Sequence, residues 1–513
     1  MTGTVLPFGP GGLAVVGLYL ASLLVVGWLG QRARREDSLR DFYLGGGSIG
    51  FAVLVLTLYA TQYSGNTMFG FTGKAYRIGW TWLSSVHFMT AIIVGYLLFA
   101  PWLHRLAQRQ QFITPADFLR HRYGNRGIDL LAPLVMTLAL ANYLLAQLVA
   151  MGRAMQGLTT ADPVVAFAWG VVLLAGIMLV YETMGGFRAV AWTDVIQGVA
   201  LAIGFGALLV MVFSVWGWPG ETRRVLLDGG EQLRARVLPP GARASRNWVS
   251  YVVIFGLGAA LYPQAIQRIY AARSGAVLRR SLAVMVFLPL LSSLVAVTVG
   301  VTAAAHVPGL EGAAADRVLS VVFQQVQASS AFGYWLVVLL FAAVLGALMS
   351  TADSCLLTIS SMITRDLYQG FLRPDAGQAH LTRVGKLVSW AMVAVAAWVA
   401  IWMEGQPGRP TLVRLLDMKF DMLVQLVPAF MLGMHWGRLG GNAVLAGMLA
   451  GLALTFGLYG NATVDAWGVH HGLLGLLLNL AVAVAWSLAR PGVSERQWTA
   501  SRGYEDGRSH GTN

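Results

Sequence analysis

Polar side chains and glycines interrupt an apolar stretch at residues 59–80, which reads YATQYSGNTMFGFTGKAYRIGW. A helix that faces lipid offers such groups no partners, because polar atoms at membrane depth must be satisfied within the protein. Broken helices of this kind line the cavities in which transporters bind ions and solutes. The stretch therefore predicts a binding site among Thr61, Gln62, Tyr63, Ser64, Asn66 and Thr67, next to Gly65, Gly70 and Gly73.

A second polar cluster lies at residues 345–369, LGALMSTADSCLLTISSMITRDLYQ. Ala347, Ser350 and Thr351 are spaced three and four residues apart, so they share one helix face. Hydroxyl groups and freed backbone carbonyls are oxygen ligands that suit sodium, a hard cation. Close packing through small residues also explains Ala347 and Ser350. It does not explain Asp353, which costs about 2.5 kcal/mol or more at the bilayer centre without a cavity or a partner.

Two further motifs carry charged side chains. In YETMGGFRAVAWTDVIQG at 181–198, Gly185 and Gly186 permit a tight turn, and Asp194 then enters an apolar segment. A helix cap or an interfacial salt bridge is the alternative role for Asp194. In ITPADFLRHRYG at 113–124, Thr114 followed by proline predicts the start of a short helix on the inner side.

Composition limits the class of protein. The chain has 513 residues, 57% hydrophobic and 12% charged, which indicates a polytopic membrane protein in a lipid bilayer. The net charge of +13 lies in short loops without a basic aromatic stripe, so no nucleic-acid partner is expected. The single cysteine, Cys355, excludes an internal disulfide. The spans carry no His/Glu metal pair or nucleophile constellation, so we do not expect an enzyme.

About thirteen spans are predicted, and most Lys and Arg residues fall inside if the N-terminus is outside and the C-terminus is cytoplasmic. The arginine-rich connection at 218–247 disagrees with this orientation. That connection and the one at 306–332 are expected to be solvated linkers rather than lids. The spans are 12–31, 49–73, 80–107, 129–157, 163–186, 190–217, 248–271, 281–305, 333–363, 383–403, 413–435, 442–460 and 470–489.

Matching interruptions suggest a repeat. The second span is broken near Gly65, and the seventh span is broken near Pro263 at nearly the same depth. This pattern predicts two inverted five-helix repeats with a site between them, although glycine and proline are common in membrane helices. The predicted division is 1–48 extra helix and inner loop, 49–217 first repeat, 218–247 external loop, 248–435 second repeat, 436–490 peripheral helices and 491–513 cytoplasmic tail.

Four motifs in order, TPADFLRHRYG, GGFRAVAWTDVIQG, PQAIQRIYAARS and MSTADS, resemble the sodium:solute symporter family. The resemblance covers about residues 12–490. It implies a leucine-transporter-like fold: an all-α membrane protein with one N-terminal helix, two inverted five-helix repeats and two C-terminal helices. It also implies sodium as the coupling ion.

The resemblance implies ion-site residues as well. The main sodium site would take the carbonyls of Ala60 and Tyr63 and the helix face of Ala347, Ser350 and Thr351. A second site, for a cation or a proton, would include Asp194, Asp353 and Ser354 beside Ser350. Gln62 stands where the proline carriers of the family have an aspartate, and the sugar carriers of the family also lack that acid.

Substrate contacts are expected at the two breaks. The amides, hydroxyls and aromatic rings there suit a small polar or zwitterionic solute. No buried basic residue is expected in either break, and Asp417, Lys419 and Asp421 are expected at a solvated helix start, with an ion-pair cluster as the alternative. The predicted substrate-binding residues are Gln62, Tyr63, Asn66, Thr67, Tyr262, Gln264 and Gln267.

The predicted function is sodium-coupled import of a small polar organic solute across the inner (plasma) membrane by alternating access. An amino acid is favoured over a monocarboxylate, a sugar or urea. One alternative is proton coupling through Asp194 and Asp353. Another is a nutrient-sensing membrane module that acts with a separate kinase. No oligomeric state follows from the sequence.

Overall fold

The computed structural model describes residues 8–34, 36, 38–62, 64–156, 162–406 and 411–490. Within them the regular secondary structure is helical, apart from one parallel bridge between Ile49 and Ala272. Helices α1 to α8 are Pro10–Arg32, Leu39–Leu44, Phe51–Gln62, Gly65–Ile78, Ser84–Gln110, Pro115–Tyr123, Arg126–Gln156 and Pro163–Trp216. Helices α9 to α15 are Pro219–Asp228, Glu231–Arg234, Ala242–Ala260, Pro263–Ala271, Gly275–Met285, Leu288–His306 and Val318–Ser329.

The C-terminal part continues this pattern. Helices α16 to α22 are Ala331–Ser361, Gln378–Glu404, Leu412–Leu423, Gly433–His435, Gly441–Gly457, Ala462–Trp467 and His471–Ala489. Short 3₁₀ turns lie at Gly45–Gly47, Gly79–Leu83, Gly312–Arg317 and Val424–Leu426, and π-helical segments lie at Met362–Leu372 and Pro428–Leu432.

Eight helical stretches of the described chain are long and apolar enough to cross a membrane, or nine when the bent pair α11 and α12 counts as one span. A helix or a broken helix occupies each of the predicted segments. The total number that crosses the bilayer stays a prediction.

Both predicted helix breaks are present. Between α3 and α4, Ser64 begins the second half: its hydroxyl accepts from the Thr67 backbone N–H at 3.1 Å, and the Thr67 hydroxyl accepts from the Ser64 N–H at 3.4 Å. Between α11 and α12 the axis bends by 46°. Pro263 begins α12, where its missing N–H costs nothing because the first turn leaves that donor free.

Helix α16 forms the centre of the bundle. Every residue from 340 to 362 is buried, so no face of this part of the helix meets lipid. Its hydroxyls and carboxylate must therefore find partners on other helices.

The two long connections are more structured than expected. Helix α15 buries Val318, Val322 and Phe323, so the 306–332 connection is not a solvated linker. Most of the 218–247 connection is exposed, as a solvated linker would be, although α9 buries Leu226. The backbone N–H of Trp80 also donates to the Arg236 carbonyl at 2.9 Å. The 218–247 segment is thus fastened to the end of α4.

The predicted turn at Gly185–Gly186 is a kink within α8. Gly186 has φ 56° and ψ −145°, and a Cβ there would lie 2.6 Å from the Phe42 carbonyl oxygen. Beside it, Arg188 donates to both carboxylate oxygens of Asp41 at 2.6 and 2.7 Å. The kink lets α8 fold closely over α2.

We expect Gly186→Ala to lower the free energy of unfolding by about 1–3 kcal/mol, because this backbone conformation is strained for a residue with a Cβ. Thermal unfolding of the purified protein in detergent measures the change. Gly176→Ala is the matched control, since a Cβ at Gly176 on the same helix meets nothing within 4 Å. An unfolding temperature that is equal in both variants would contradict the kink.

Candidate functional site

The end of α3 meets the middle of α16. The Thr351 hydroxyl lies 3.4 Å from the Ala60 carbonyl oxygen, and Ala347 is buried on the same stretch of helix. The structure thus brings Ala60 and Thr351, two residues of the expected main sodium site, into contact, and Ala347 lies one helical turn before Thr351. Tyr63, a further residue of that site, lies outside the described residues. A carbonyl at a helix break and a hydroxyl are oxygen donors of the kind that sodium takes, so the residues present fit that ion.

Ser350 lies next to Thr351 but faces another partner. Its hydroxyl donates to Asp194 Oδ1, and the Thr57 hydroxyl donates to Asp194 Oδ2. Asp194 is fully buried and also pairs with Arg268, whose Nη2 lies 3.0 Å from Oδ2. Asp194 is therefore the centre of a polar cluster that joins α3, α8, α12 and α16. The part of Ser350 in the main sodium site stays a prediction.

Arg268 is the residue that the sequence reading placed wrongly. No buried basic residue is expected from the sequence in either break, but Arg268 lies on α12 and is 1% exposed. Its Nε donates to Thr57 at 2.7 Å, its Nη1 to the Gln264 carbonyl at 3.1 Å and its Nη2 to Ser354 at 2.6 Å. The sequence held one signal for this pairing: a buried Asp194 needs a counter-charge.

Asp353 has its own partner. The Tyr181 hydroxyl donates to its Oδ2 at 2.5 Å, and Ser354 Oγ lies 3.3 Å from its Oδ1. The Ser354 hydroxyl donates to the Ser350 carbonyl at 2.7 Å. Ser354 therefore lies between the Asp353 carboxylate and the Arg268 guanidinium.

A small cavity of about 20 Å³ lies beside the first break. Gln62, Thr67 and Tyr262, three of the predicted substrate-binding residues, line it. Gln62 Nε2 bonds to the Tyr96 hydroxyl, while Gln62 Oε1 has no hydrogen-bond partner among the described residues. The side chain of Asn66, like Tyr63, falls outside the part of the chain whose side chains are described.

The two glutamines after the second break lie elsewhere. Gln267 bonds to Ser361 at 2.8 Å and to Thr358 at 2.6 Å, so it fastens α12 to α16. Gln264 is buried without a side-chain partner in the described chain and does not line the cavity. Their roles in substrate binding stay predictions.

Lys419 also lines this cavity, although it was expected at a solvated helix start. Its side chain is fully buried, and Nζ lies 2.8 Å from the ring centroid of Tyr143 and 4.6 Å from that of Tyr262. Asp421 is 1% exposed, so the solvated description is wrong there too. Lysine and arginine near the end of a span usually lie in loops and set the membrane orientation. For this reason the burial of Arg268 and Lys419 could not be predicted from the sequence.

A vestibule of about 820 Å³ opens at one end of the bundle. Tyr251 lines the vestibule, while Phe255 and Phe420 line the cavity, and their rings form a continuous aromatic layer with centroids 4.9 and 4.0 Å apart. The charged and histidine residues of the vestibule are Arg77, Arg236, Arg243, Arg414, Asp417, Asp421, His470 and His471. His471 Nε2 lies 3.0 Å from Asp421 Oδ2 and His470 Nδ1 lies 3.4 Å from Oδ1.

The other end is held by the predicted short helix α6. Asp117 accepts from the backbone N–H of Ile113 at 2.8 Å and of Thr114 at 3.0 Å, and Arg365 Nε lies 3.1 Å from it. The Thr114 hydroxyl donates to Asp366 at 2.9 Å. These contacts fasten α6 to the segment that follows α16.

Comparison with known proteins agrees with this geometry. The sequence pattern of the sodium:solute symporter family matches residues 42–451. The chain belongs to the sodium:solute symporter family. The family predicted from the motifs is confirmed. The chain is a sodium-coupled solute transporter, and its coupling ion is sodium.

Named relatives are distant but cover most of the chain. The osmoregulated proline transporter OpuE of Bacillus subtilis is 25% identical over 92% of this chain and 94% of its own. The sodium/proline symporter of Escherichia coli is 27% identical over 85% of each.

Solved structures show the fold. The structure of a Na⁺-coupled sialic acid symporter in its substrate-bound outward-open state matches with a TM-score of 0.78 and 21% identity, over 95% of this chain and 100% of the other. A nucleobase-cation-symport-1 family transporter in a closed conformation matches with a TM-score of 0.54 and 16% identity, over 90% and 97%.

We expect Asp194→Ala to lower the free energy of unfolding by about 3–5 kcal/mol, because it leaves the buried Arg268 guanidinium without a counter-charge. The double variant Asp194→Ala with Arg268→Met should unfold at a higher temperature than the single variant. Thermal unfolding in detergent measures both. A double variant that is less stable than Asp194→Ala would show that Arg268 does not depend on this carboxylate.

We expect Thr351→Ala to raise the sodium concentration that gives half-maximal binding by about fivefold, since one oxygen ligand is worth about 1 kcal/mol. Thr351→Ser retains the hydroxyl and is the matched control. Tryptophan fluorescence or thermal shift during sodium titration reads binding without a known solute. Equal sodium dependence in wild type and Thr351→Ala would remove this hydroxyl from the site.

Proposed function

We propose that the chain imports a small polar organic solute together with sodium by alternating access, in the cell inner membrane. One observation carries the proposal: the carbonyl of Ala60 at the α3 break faces the Thr351 hydroxyl of α16 at 3.4 Å, directly beside the cavity lined by Gln62 and Thr67. The proline transporters among the relatives support an amino acid as the solute.

The same broken helix would couple the two ligands. Ala60 offers an oxygen to the cation, while Gln62 and Thr67, a few residues later, line the cavity for the solute. A ligand that fixes this break in one position favours the conformer that the other ligand also binds. Mutual stabilisation of about 1–3 kcal/mol is enough for such coupling.

The membrane layout is also part of the proposal. We place the N-terminus outside and the C-terminus in the cytoplasm, with thirteen spans in two inverted five-helix repeats at 49–217 and 248–435. The two helix breaks, one near the start of each proposed repeat, support this division. Residues 1–48 would supply the extra helix, 218–247 an external connection, 436–490 the peripheral helices and 491–513 the tail.

Proton coupling is the second candidate. Asp353 is fully buried and contacts only hydroxyl groups, Tyr181 and Ser354, among its hydrogen-bond partners in the described chain. A buried carboxyl group without a basic partner is a candidate proton carrier, whereas Asp194 is paired with the Arg268 guanidinium.

We expect solute uptake into proteoliposomes that follows an imposed sodium gradient and fails in sodium-free buffer with an imposed pH gradient. A panel of labelled amino acids, monocarboxylates and sugars supplies the solutes. Asp353→Asn is the diagnostic variant, and sodium-driven uptake should persist in it. Uptake that follows the pH gradient without sodium, and that Asp353→Asn abolishes, would replace sodium coupling by proton coupling.

A further inference from the structure

We propose that Lys419 binds the carboxylate of the solute, and that the solute is a small monocarboxylate with an apolar body and no free ammonium group. This rests on the proposed import function and narrows its substrate class. It departs from the amino-acid preference of the sequence and of the named relatives.

The first argument is an unpaired buried charge. Lys419 is fully buried, and its Nζ has no hydrogen-bond or ion-pair partner among the described residues. The faces of Tyr143 and Tyr262 stabilise the ammonium only in part. Because an ammonium group buried without a counter-charge is costly, a ligand that brings a negative group would stabilise the charged form of Lys419.

The second argument is the charge of the whole lining. Apart from Lys419, the described cavity residues are neutral: Gln62 and Thr67 are polar, and the rest are aromatic or aliphatic. No carboxylate lines the cavity within that set, so an amino-acid ammonium would find no acidic partner. A lining with one basic residue and no acidic residue favours a monoanion over a zwitterion.

The third argument concerns the aromatic rings. Stacked aromatic faces are the usual alternative to a carboxylate for holding an amine. The rings of Tyr143 and Tyr262 are stacked, with centroids 5.7 Å apart, but the ammonium that they hold is that of Lys419. The protein itself already supplies the cation, and the ligand is left to supply the anion.

The cavity also limits size and polarity. A volume of about 20 Å³ holds about one water molecule, so the cavity must widen to admit a solute, and a short solute requires the smallest rearrangement. Phe71, Phe88 and Phe255 form part of the wall. An apolar body next to the carboxylate suits that wall.

The test uses three solutes of nearly one shape: propionate, L-alanine, which adds an ammonium, and propionamide, which removes the charge. Thermal shift of the purified full-length chain measures binding in sodium chloride and in choline chloride. We expect propionate to bind wild type at least about tenfold more tightly than either of the others.

Variants locate the effect. Lys419→Met should abolish the propionate shift, and Lys419→Arg should retain part of it. Lys74→Met is the matched control, because Lys74 also packs on aromatic rings, Trp82 and Tyr251, but bonds to the Tyr251 hydroxyl and lies outside the cavity. It should keep the wild-type shift.

The outcomes separate this proposal from the import function. The carboxylate assignment would be overturned if wild type bound L-alanine as tightly as propionate, or if it bound no propionate in either salt. Both outcomes are read from wild type, so they hold even if the Lys419 variants fail to fold. Propionate binding that is equal in sodium and choline would support Lys419 and count against sodium coupling.

Discussion

The buried ion pair between Asp194 and Arg268 is the constraint on which the rest of the site depends. Charges inside a low-dielectric bundle persist only when they are paired and hydrogen-bonded. Here Thr57, Ser350 and Ser354 complete the pair, so four helices are held in one register. That register places the Ala60 carbonyl opposite Thr351. The geometry offered to the ion is thus a consequence of an electrostatic requirement one helical turn away.

The positions at which membrane helices are broken could be predicted from the sequence, because polar residues and glycines within apolar segments are visible in it. The α3 break and the bend at Pro263 were predicted for this reason. The turn at Gly186 was predicted from two adjacent glycines, and the helix after Thr114 from threonine followed by proline. The choice of partner was not predictable. Neighbouring residues of a helix point about 100° apart, so the hydroxyl groups of Ser350 and Thr351 reach different partners.

The two buried cationic residues are the main feature of the site that the sequence did not predict. Arg268 and Lys419 lie close to predicted span ends, where lysine and arginine usually mark topology. Only the folded bundle shows that α12 carries Arg268 into the core and that α18 carries Lys419 to the cavity. One cation is fully paired and structural, while the other has aromatic neighbours and no counter-ion in the described chain. The presence or absence of a counter-charge therefore distinguishes a structural cation from a candidate ligand-binding one better than residue type does.

The vestibule has a kinetic consequence. Four arginines and two aspartates line it, an excess of positive charge at the approach to the cavity. Such a field concentrates anions and depletes free cations near the opening, and salt screens it over about 10 Å at 0.1 M ionic strength. Ionic strength should therefore change how fast an anion is captured more than how tightly it is held, because the buried contacts beneath the aromatic layer are screened far less.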